Sequence, residues 1–370
     1  MPGMRTPALL PHPRSARATA SLSSIILRLL RLFHDVYRPV PIHTKRKAER
    51  GKLRIVELRP SGQGKVEMSN ILIGTASWTD KSLIASGRFY PAKCNSPEER
   101  LRYYASQFPL VEVDSSYYAM PKPEVAQLWA ERTPPTFTFN IKAFRLFTGH
   151  QTSPAALPKD VAEALGPVEK RNLYYKDLPR EITDELWRQY RKGIEPLKRS
   201  GKLAAVHFQF APWVAYHPKN REHIDECQRQ LDGYQLAIEF RNKTWFDGKH
   251  AAVTLAFERE RNLVNTIVDE PQGMANTIPS VWEVTNPALA IVRLHGRNHE
   301  TWNKKGLTSS AQRFNYDYDD DELAELAKKI ETISAARVHV VLNNNYEDQG
   351  QRNARTLMGL VGYSSATNAD

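Results

Sequence analysis

Ala290-Ile291-Val292-Arg293-Leu294-His295-Gly296-Arg297 reads as a β-strand in which Ile291, Arg293, His295 and Arg297 share one face, with Val292 and Leu294 on the other. Three potential cations on one strand face need either solvent or an acidic partner. Six further strand-like runs precede this one: Ile71–Thr75, Leu110–Tyr118, Thr136–Lys142, Leu203–Phe210, Gln235–Arg241 and Leu263–Asp269. Another, Arg337–Asn343, follows it.

Helical patterns separate these runs. Ser96-Pro97-Glu98-Glu99 combines a serine cap, a proline in the first turn and a glutamate three residues on, which is a capping box. Leu101, Tyr104, Ala105 and Phe108 then fall on one face. A proline-started helix is expected to turn Val125, Leu128 and Trp129 inward, and one from Thr183 to bury Leu186, Trp187, Tyr190, Ile194 and Leu197. Others start near Pro218, run through Leu255, carry Leu323, Leu326, Ala327 and Ile330, and close the chain from about Asn353. Residues 151–182 form the longest irregular connection, and residues 270–288 look short of helix.

Eight strands alternating with helices predict an α/β fold, a single (β/α)8 TIM-type barrel over 69–362 with an extended connection after strand 3 and a short tail, 363–370. No strand opens into the Gly-rich fingerprint of a doubly wound dinucleotide fold. The chain carries a net charge of +11 in 370 residues, but residues 1–68 hold fourteen Lys/Arg against four Asp/Glu. The barrel itself is therefore close to neutral, which weakens any case for nucleic acid built on charge alone. The leader is basic and read as disordered, and Met68 is the expected true start; a targeting or membrane-surface segment is the alternative. Cys94 and Cys227 have no metal or redox spacing, and no apolar run reaches the roughly 20 residues of a membrane span, so a cytoplasmic location is expected.

In such a barrel the reactive face is at the C-terminal strand ends. Polar residues collect there: Ser77, Trp78, Glu112, Asp114, Tyr118, Lys142, His150, Gln209, Glu239, Arg241, Trp245, Asp269, Glu270, Arg293, His295, Arg297, Asn343 and Asn344. Glu112, Asp114, Glu239, Asp269 and His295 are the candidate acid–base groups; Glu112, Glu239, Asp269 and His295 could instead hold a divalent metal. Lys142, Arg293 and Arg297 are the candidate anion binders, and Gly350-Gln-Arg352-Asn353 lies where this fold commonly holds phosphate. Structure alone offers a plainer account: paired charges stabilising the upper barrel, and aromatics that roof it.

The strand-end motifs resemble those of the YecE-like family, domain of unknown function 72. They are Ile73-Gly-Thr-Ala-Ser-Trp78, Val111-Glu-Val-Asp-Ser-Ser-Tyr-Tyr118, Phe139-Asn-Ile-Lys142, Phe208-Gln-Phe-Ala-Pro212, Ile238-Glu-Phe-Arg241, Val268-Asp-Glu-Pro271, Val292-Arg-Leu-His-Gly-Arg297 and Leu342-Asn-Asn344. The resemblance implies a TIM-type barrel and no established activity or cofactor. Asn345 stands where relatives often carry another residue, and the leader has no counterpart in the family pattern. The expected function is an enzyme (hydrolase, lyase or isomerase) acting on a small phosphorylated or carboxylated substrate. The alternatives are a nucleic-acid-binding or processing protein using the aromatic and basic mouth, and a non-catalytic scaffold.

Overall fold

The computed structural model describes residues 70–362, apart from 275, 308 and 309. The leader, the proposed start at Met68 and the tail lie outside the described residues.

Eight strands close a barrel in sequence order, every neighbouring pair parallel. They are β1 (Asn70–Ala76), β2 (Leu110–Val113), β3 (Thr138–Lys142), β4 (Leu203–Gln209), β5 (Leu236–Glu239), β6 (Val264–Asp269), β7 (Ala290–Leu294) and β8 (Arg337–Leu342). Closure comes from β8 against β1, from Asn70 opposite Arg337 to Thr75 opposite Leu342. The helices are α1 (Lys81–Ser86), α2 (Pro97–Gln107), α3 (Ser115–Tyr118), α4 (Pro123–Glu131), α5 (Lys159–Leu165), α6 (Arg180–Arg199), α7 (Pro218–Gln230), α8 (His250–Glu260), α9 (Asp320–Glu331) and α10 (Gln349–Leu360). The connection after β3 is extended, as expected. Among the described residues, the link from β6 to β7 contains no helix.

Local chemistry sets the helix starts. Ser96 and Glu99 form the reciprocal capping box ahead of α2, and Asp319 and Glu322 form another ahead of α9. Several expectations need correction. The second strand ends at Val113, not Tyr118, because the Ser116 hydroxyl donates to the carbonyls of Val113 (2.9 Å) and Lys142 (2.7 Å) and winds the chain into α3. The seventh strand ends at Leu294, before His295 and Arg297. In α4 the buried residues are Ala126 and Ala130, while Val125 and Leu128 are exposed and Trp129 is half-buried. The α4–α6 contact is close, and small side chains permit it. Beside it, a Cβ on Gly193 of α6 would lie 2.2 Å from the Pro121 carbonyl oxygen. Helices α6 and α10 also start earlier than expected, at Arg180 and Gln349.

Between strands and helices runs one large apolar layer that includes Ile73, Val111, Phe139, Ile141, Phe208, Ile238, Val292 and Leu342. Inside the barrel, apolar packing is confined to two small clusters. One is Leu72, Ala76, Leu110 and Val341; the other is Ala205, Ala237, Val264, Leu289 and Ile291. Buried polar residues fill much of the remaining interior, where barrels of this type ordinarily stack Val, Ile and Leu.

One buried carboxyl stands apart from that interior. Glu258 on α8 is fully buried, neither carboxylate oxygen has a hydrogen-bond partner among the described residues, and burial, outweighing the nearby Arg259 charge, holds its pKa well above the ordinary value. A raised folded pKa means stability falls as pH rises above the unfolded value of 4.5. Glu258→Met is expected to stabilise the protein at pH 7 by about 1–3 kcal/mol, with the gain shrinking toward pH 4. Urea denaturation at the two pH values checks this, and an equal gain at both would contradict it.

Candidate functional site

Strand alternation carries Glu112, Glu239 and Arg293 into the barrel, and all three are wholly buried. Arg293 forks between the carboxylates, donating from Nη2 to Glu112 Oε1 at 2.7 Å and from Nη1 to Glu239 Oε2 at 2.6 Å. His207, from β4, stands against the same pair, with Nδ1 3.4 Å from Glu112 Oε2 and Nε2 3.3 Å from Glu239 Oε2. Gln209 donates to Glu239 Oε1 at 2.6 Å. Burial penalises the Glu239 charge, but Arg293 and His295 outweigh it and hold the carboxyl well below the usual range.

His295 is neutral at physiological pH. Burial pushes its pKa down to about 3 against the pull of Glu239. Asn343 Nδ2 is 2.7 Å from His295 Nδ1, and His295 Nε2 is 3.2 Å from Glu239 Oε1. A neutral ring satisfies both when Asn343 donates to Nδ1 and the ring proton sits on Nε2, facing Glu239; this tautomer is inferred from the partners.

Around this buried centre the network reaches solvent. Lys142 Nζ bridges Asp114 Oδ1 (2.8 Å) and Gln209 Oε1 (3.1 Å). Asp114 is a quarter exposed, and Lys142, despite burial, draws its pKa below the ordinary value. Arg241 Nη1 contacts Glu239 Oε1 (3.3 Å) and Glu270 Oε2 (2.5 Å), while the Ile278 amide donates to Glu270 Oε1. Burial raises the Glu270 pKa despite Arg241.

Two expected members belong to a different cluster. Asp269 pairs in register with Leu294, whereas Arg293 pairs with Val268, so Asp269 lies on the opposite strand face from the central network. It receives Arg297 through Nε (3.0 Å) and Nη2 (2.8 Å) and the Tyr318 hydroxyl at 2.7 Å. Arg297 follows Gly296, whose φ of +82° breaks the strand alternation, and it also reaches Glu322 at 3.1 Å. A Cβ at Gly296 would lie 2.6 Å from Tyr316 Cβ. Both residues thus anchor the loop after β7 to α9.

The expected phosphate corner is likewise occupied by protein. Arg352 pairs with Asp317 at 2.8 Å. Asn344 and Asn353 hydrogen-bond each other at 2.7 Å, and each also holds the segment at Tyr316–Tyr318. Trp78 is buried edge-on to Trp129, and Trp245 is fully buried, stacked 3.9 Å from Phe240 with its indole N–H on the Val214 carbonyl. These two are wall residues. Ser77, at the exit of β1, holds a φ of +72°, a conformation that side chains other than glycine seldom adopt. Tyr118 is exposed, and His150 lies between Tyr117 and Trp213 with its pKa lowered to about 4 by burial, Arg145 and Lys142.

Residues 72–369 match the family described as Protein of unknown function DUF72. The chain belongs to that family. It is similar to the UPF0759 protein YunF of Bacillus subtilis, 30% identical over 295 residues that make up 79% of this chain and 94% of that protein. Among solved structures, a DUF72 family protein of Enterococcus faecalis V583 matches with a TM-score of 0.65 and 26% identity, over 80% of this chain and 96% of that one. One from Thermotoga maritima MSB8 matches with a TM-score of 0.59 and 25% identity, over 79% of this chain and 99% of that one. The resemblance read from the strand-end motifs is confirmed.

In this DUF72 barrel, Glu112, Glu239, Asp269 and His295 do not converge as metal ligands. Arg293 bridges the first two and Arg297 holds the third, and among the described residues no group of three His, Cys, Asp or Glu could hold an ion. Also among the described residues, no helix is long and apolar enough to cross a membrane. Sequence reading overlooked His207 and His339; each sits two residues before a residue that strand register puts on the inner face, Gln209 opposite Glu239 and Val341 opposite Arg293. His339 Nδ1 reaches Asn140 Oδ1 at 3.1 Å inside the barrel.

Removing Arg293 strands two buried carboxylates, so Arg293→Met is expected to cost about 3–5 kcal/mol at pH 7. Because the folded pKa of Glu239 is depressed, its pairing stabilises above the unfolded value of 4.5 and is lost as pH falls through the folded one. The deficit of the variant should therefore narrow in acid. Denaturation curves at pH 7 and pH 4 measure both effects, and a deficit below ~1 kcal/mol would make the clamp no stronger than a surface bridge.

Proposed function

We propose that the barrel mouth is the active site of an enzyme, a hydrolase, lyase or isomerase, whose small substrate carries a carboxylate or phosphate. The state of Arg241 carries this reading. Its hydrogen bonds to Glu239 and Glu270 both use Nη1, and among the described residues Nε and Nη2 have no protein acceptor. Its side chain keeps 16% exposure. The Nε–Nη2 edge of a guanidinium binds carboxylate or phosphate through two parallel hydrogen bonds.

Existing pairings limit the role each group can take. Glu112 and Glu239 are engaged by Arg293, so they serve as a fixed polar floor that orients the groups above it. Acid–base work falls to Asp114 and Glu270, whose surroundings push their pKa values in opposite directions. Such a pair allows one carboxyl to act as base and the other as acid at a single pH. Lys142 supplies a second cation at the solvent edge and keeps Asp114 ionised. His295, neutral, presents its Nε2 proton to Glu239 and adds no positive charge.

Thermal unfolding in inorganic phosphate and in succinate tests the anion site. An upshift of roughly 2–4 °C per kcal/mol of ligand stabilisation is expected for the parent, and none for Arg241→Gln. Equal shifts in both proteins would remove Arg241 from the site. In a strain lacking the gene, Asp114→Asn and Glu270→Gln should fail to restore the parental metabolite profile, whereas Glu258→Met should restore it.

A further inference from the structure

We propose that the aromatic ledge beside the mouth, built by the segments leaving β2, β3 and β4, seats the base of a mononucleotide. The proposal rests on the reading of the mouth as a small-anion site and names the class of that anion. Tyr118 and Trp213 are the two exposed aromatic side chains among the described residues, at 54% and 53%, and both stand here. Tyr117 and His150 join them, with ring centroids 4.9 Å (Tyr118 to Tyr117), 5.2 Å (Tyr117 to His150) and 5.7 Å (His150 to Trp213). Trp213 is exposed yet held, its indole N–H donating to the Gly149 carbonyl at 3.0 Å. An apolar face left in water but already fixed in position loses little further entropy on stacking with a ligand.

Charge selects the ligand. Arg145 lies over the Tyr117 ring at 5.2 Å, and among the described residues its guanidinium has no hydrogen-bond or ion-pair partner, although its Nε is buried. Lys142 lies over the same ring at 5.1 Å. From there Lys142, Gln209, Glu239 and Arg241 form an unbroken run of contacts into the mouth. The ledge is thus cationic and aromatic, and the run of contacts joins it to Arg241 at Nη1. Of the carboxylates near Tyr118, Asp114 is taken by Lys142 and Asp80 accepts from the Ser82 amide and hydroxyl, so few acceptors remain for the hydroxyls of a bare sugar. Every nucleobase has a π-face, and aromatic rings and guanidinium planes both stack on it.

Titration of the full-length protein with adenosine monophosphate, ribose 5-phosphate, inorganic phosphate and a short oligothymidylate tests the proposal. Calorimetry and tryptophan fluorescence provide the readout. The nucleotide is expected to bind at least about tenfold more tightly than ribose 5-phosphate, the factor for one base stack, and to quench fluorescence. Trp213→Ala should remove that advantage while the phosphate-induced thermal shift survives, and Arg145→Gln should weaken the nucleotide about tenfold. Ribose 5-phosphate binding as tightly as the nucleotide, or nucleotide binding indifferent to Trp213→Ala, overturns the proposal. An oligothymidylate that binds more tightly than the mononucleotide also overturns it, in favour of a nucleic-acid strand. If the base preference is missing but the phosphate shift still needs Arg241, the ledge assignment fails alone. If the phosphate shift is unaffected by Arg241→Gln, the mouth assignment fails.

Discussion

The clamp of Arg293 between Glu112 and Glu239 is the constraint on which the barrel interior depends. Three ionised groups leave water together, and each would be costly to bury alone. The guanidinium solves the problem geometrically, because its planar fork offers separate nitrogens to two carboxylates approaching from β2 and β5. A lysine would offer a single point charge. Once the clamp is present, the barrel cannot be filled by stacked aliphatic layers. Apolar packing retreats to two small clusters, and the space between takes His207, Asn140 and His339.

The same clamp sets the state of the groups around it. A carboxylate held by Arg293 and pushed well below its ordinary pKa is a poor proton carrier at neutral pH. Glu239 instead organises the groups around it: Gln209, Arg241 and His295 all meet its Oε1. Asp114 pairs with Lys142 and Glu270 with Arg241, so each carboxylate beyond the clamp has a cation of its own. Arg297 and Asp269, similar in composition, form a separate bidentate pair that secures the loop after β7 and leaves little for a ligand.

Much of this was legible in the chain. Strand and helix periods specify the eightfold alternation, and the Ser96–Glu99 box marks a helix start correctly. Inner-face alternation places Glu112, Glu239, Arg293 and His295 together, and the structure does bring them together. The failures occur where periodicity stops. Ser116 diverts the chain after Val113, and the positive φ of Gly296 turns Arg297 away from the face of Arg293. On α4, Val125 and Leu128 looked like a core face, but the nearby α6 favours alanine there.

What the sequence determined by itself is the barrel, because side-chain periods of two and about 3.6 residues are local properties of backbone geometry. It also determined that ionisable groups would line the strand ends. Which charge meets which was decided only by closure. Glu112 and Arg293 are 181 residues apart and touch because β8 pairs with β1 and completes the ring. Asp269 and Glu270 are neighbours in sequence, yet Asp269, the last residue of β6, meets Arg297, while Glu270, just past the strand, meets Arg241. Pairing across a barrel is a fact of three dimensions, and it decides which cation each carboxylate meets.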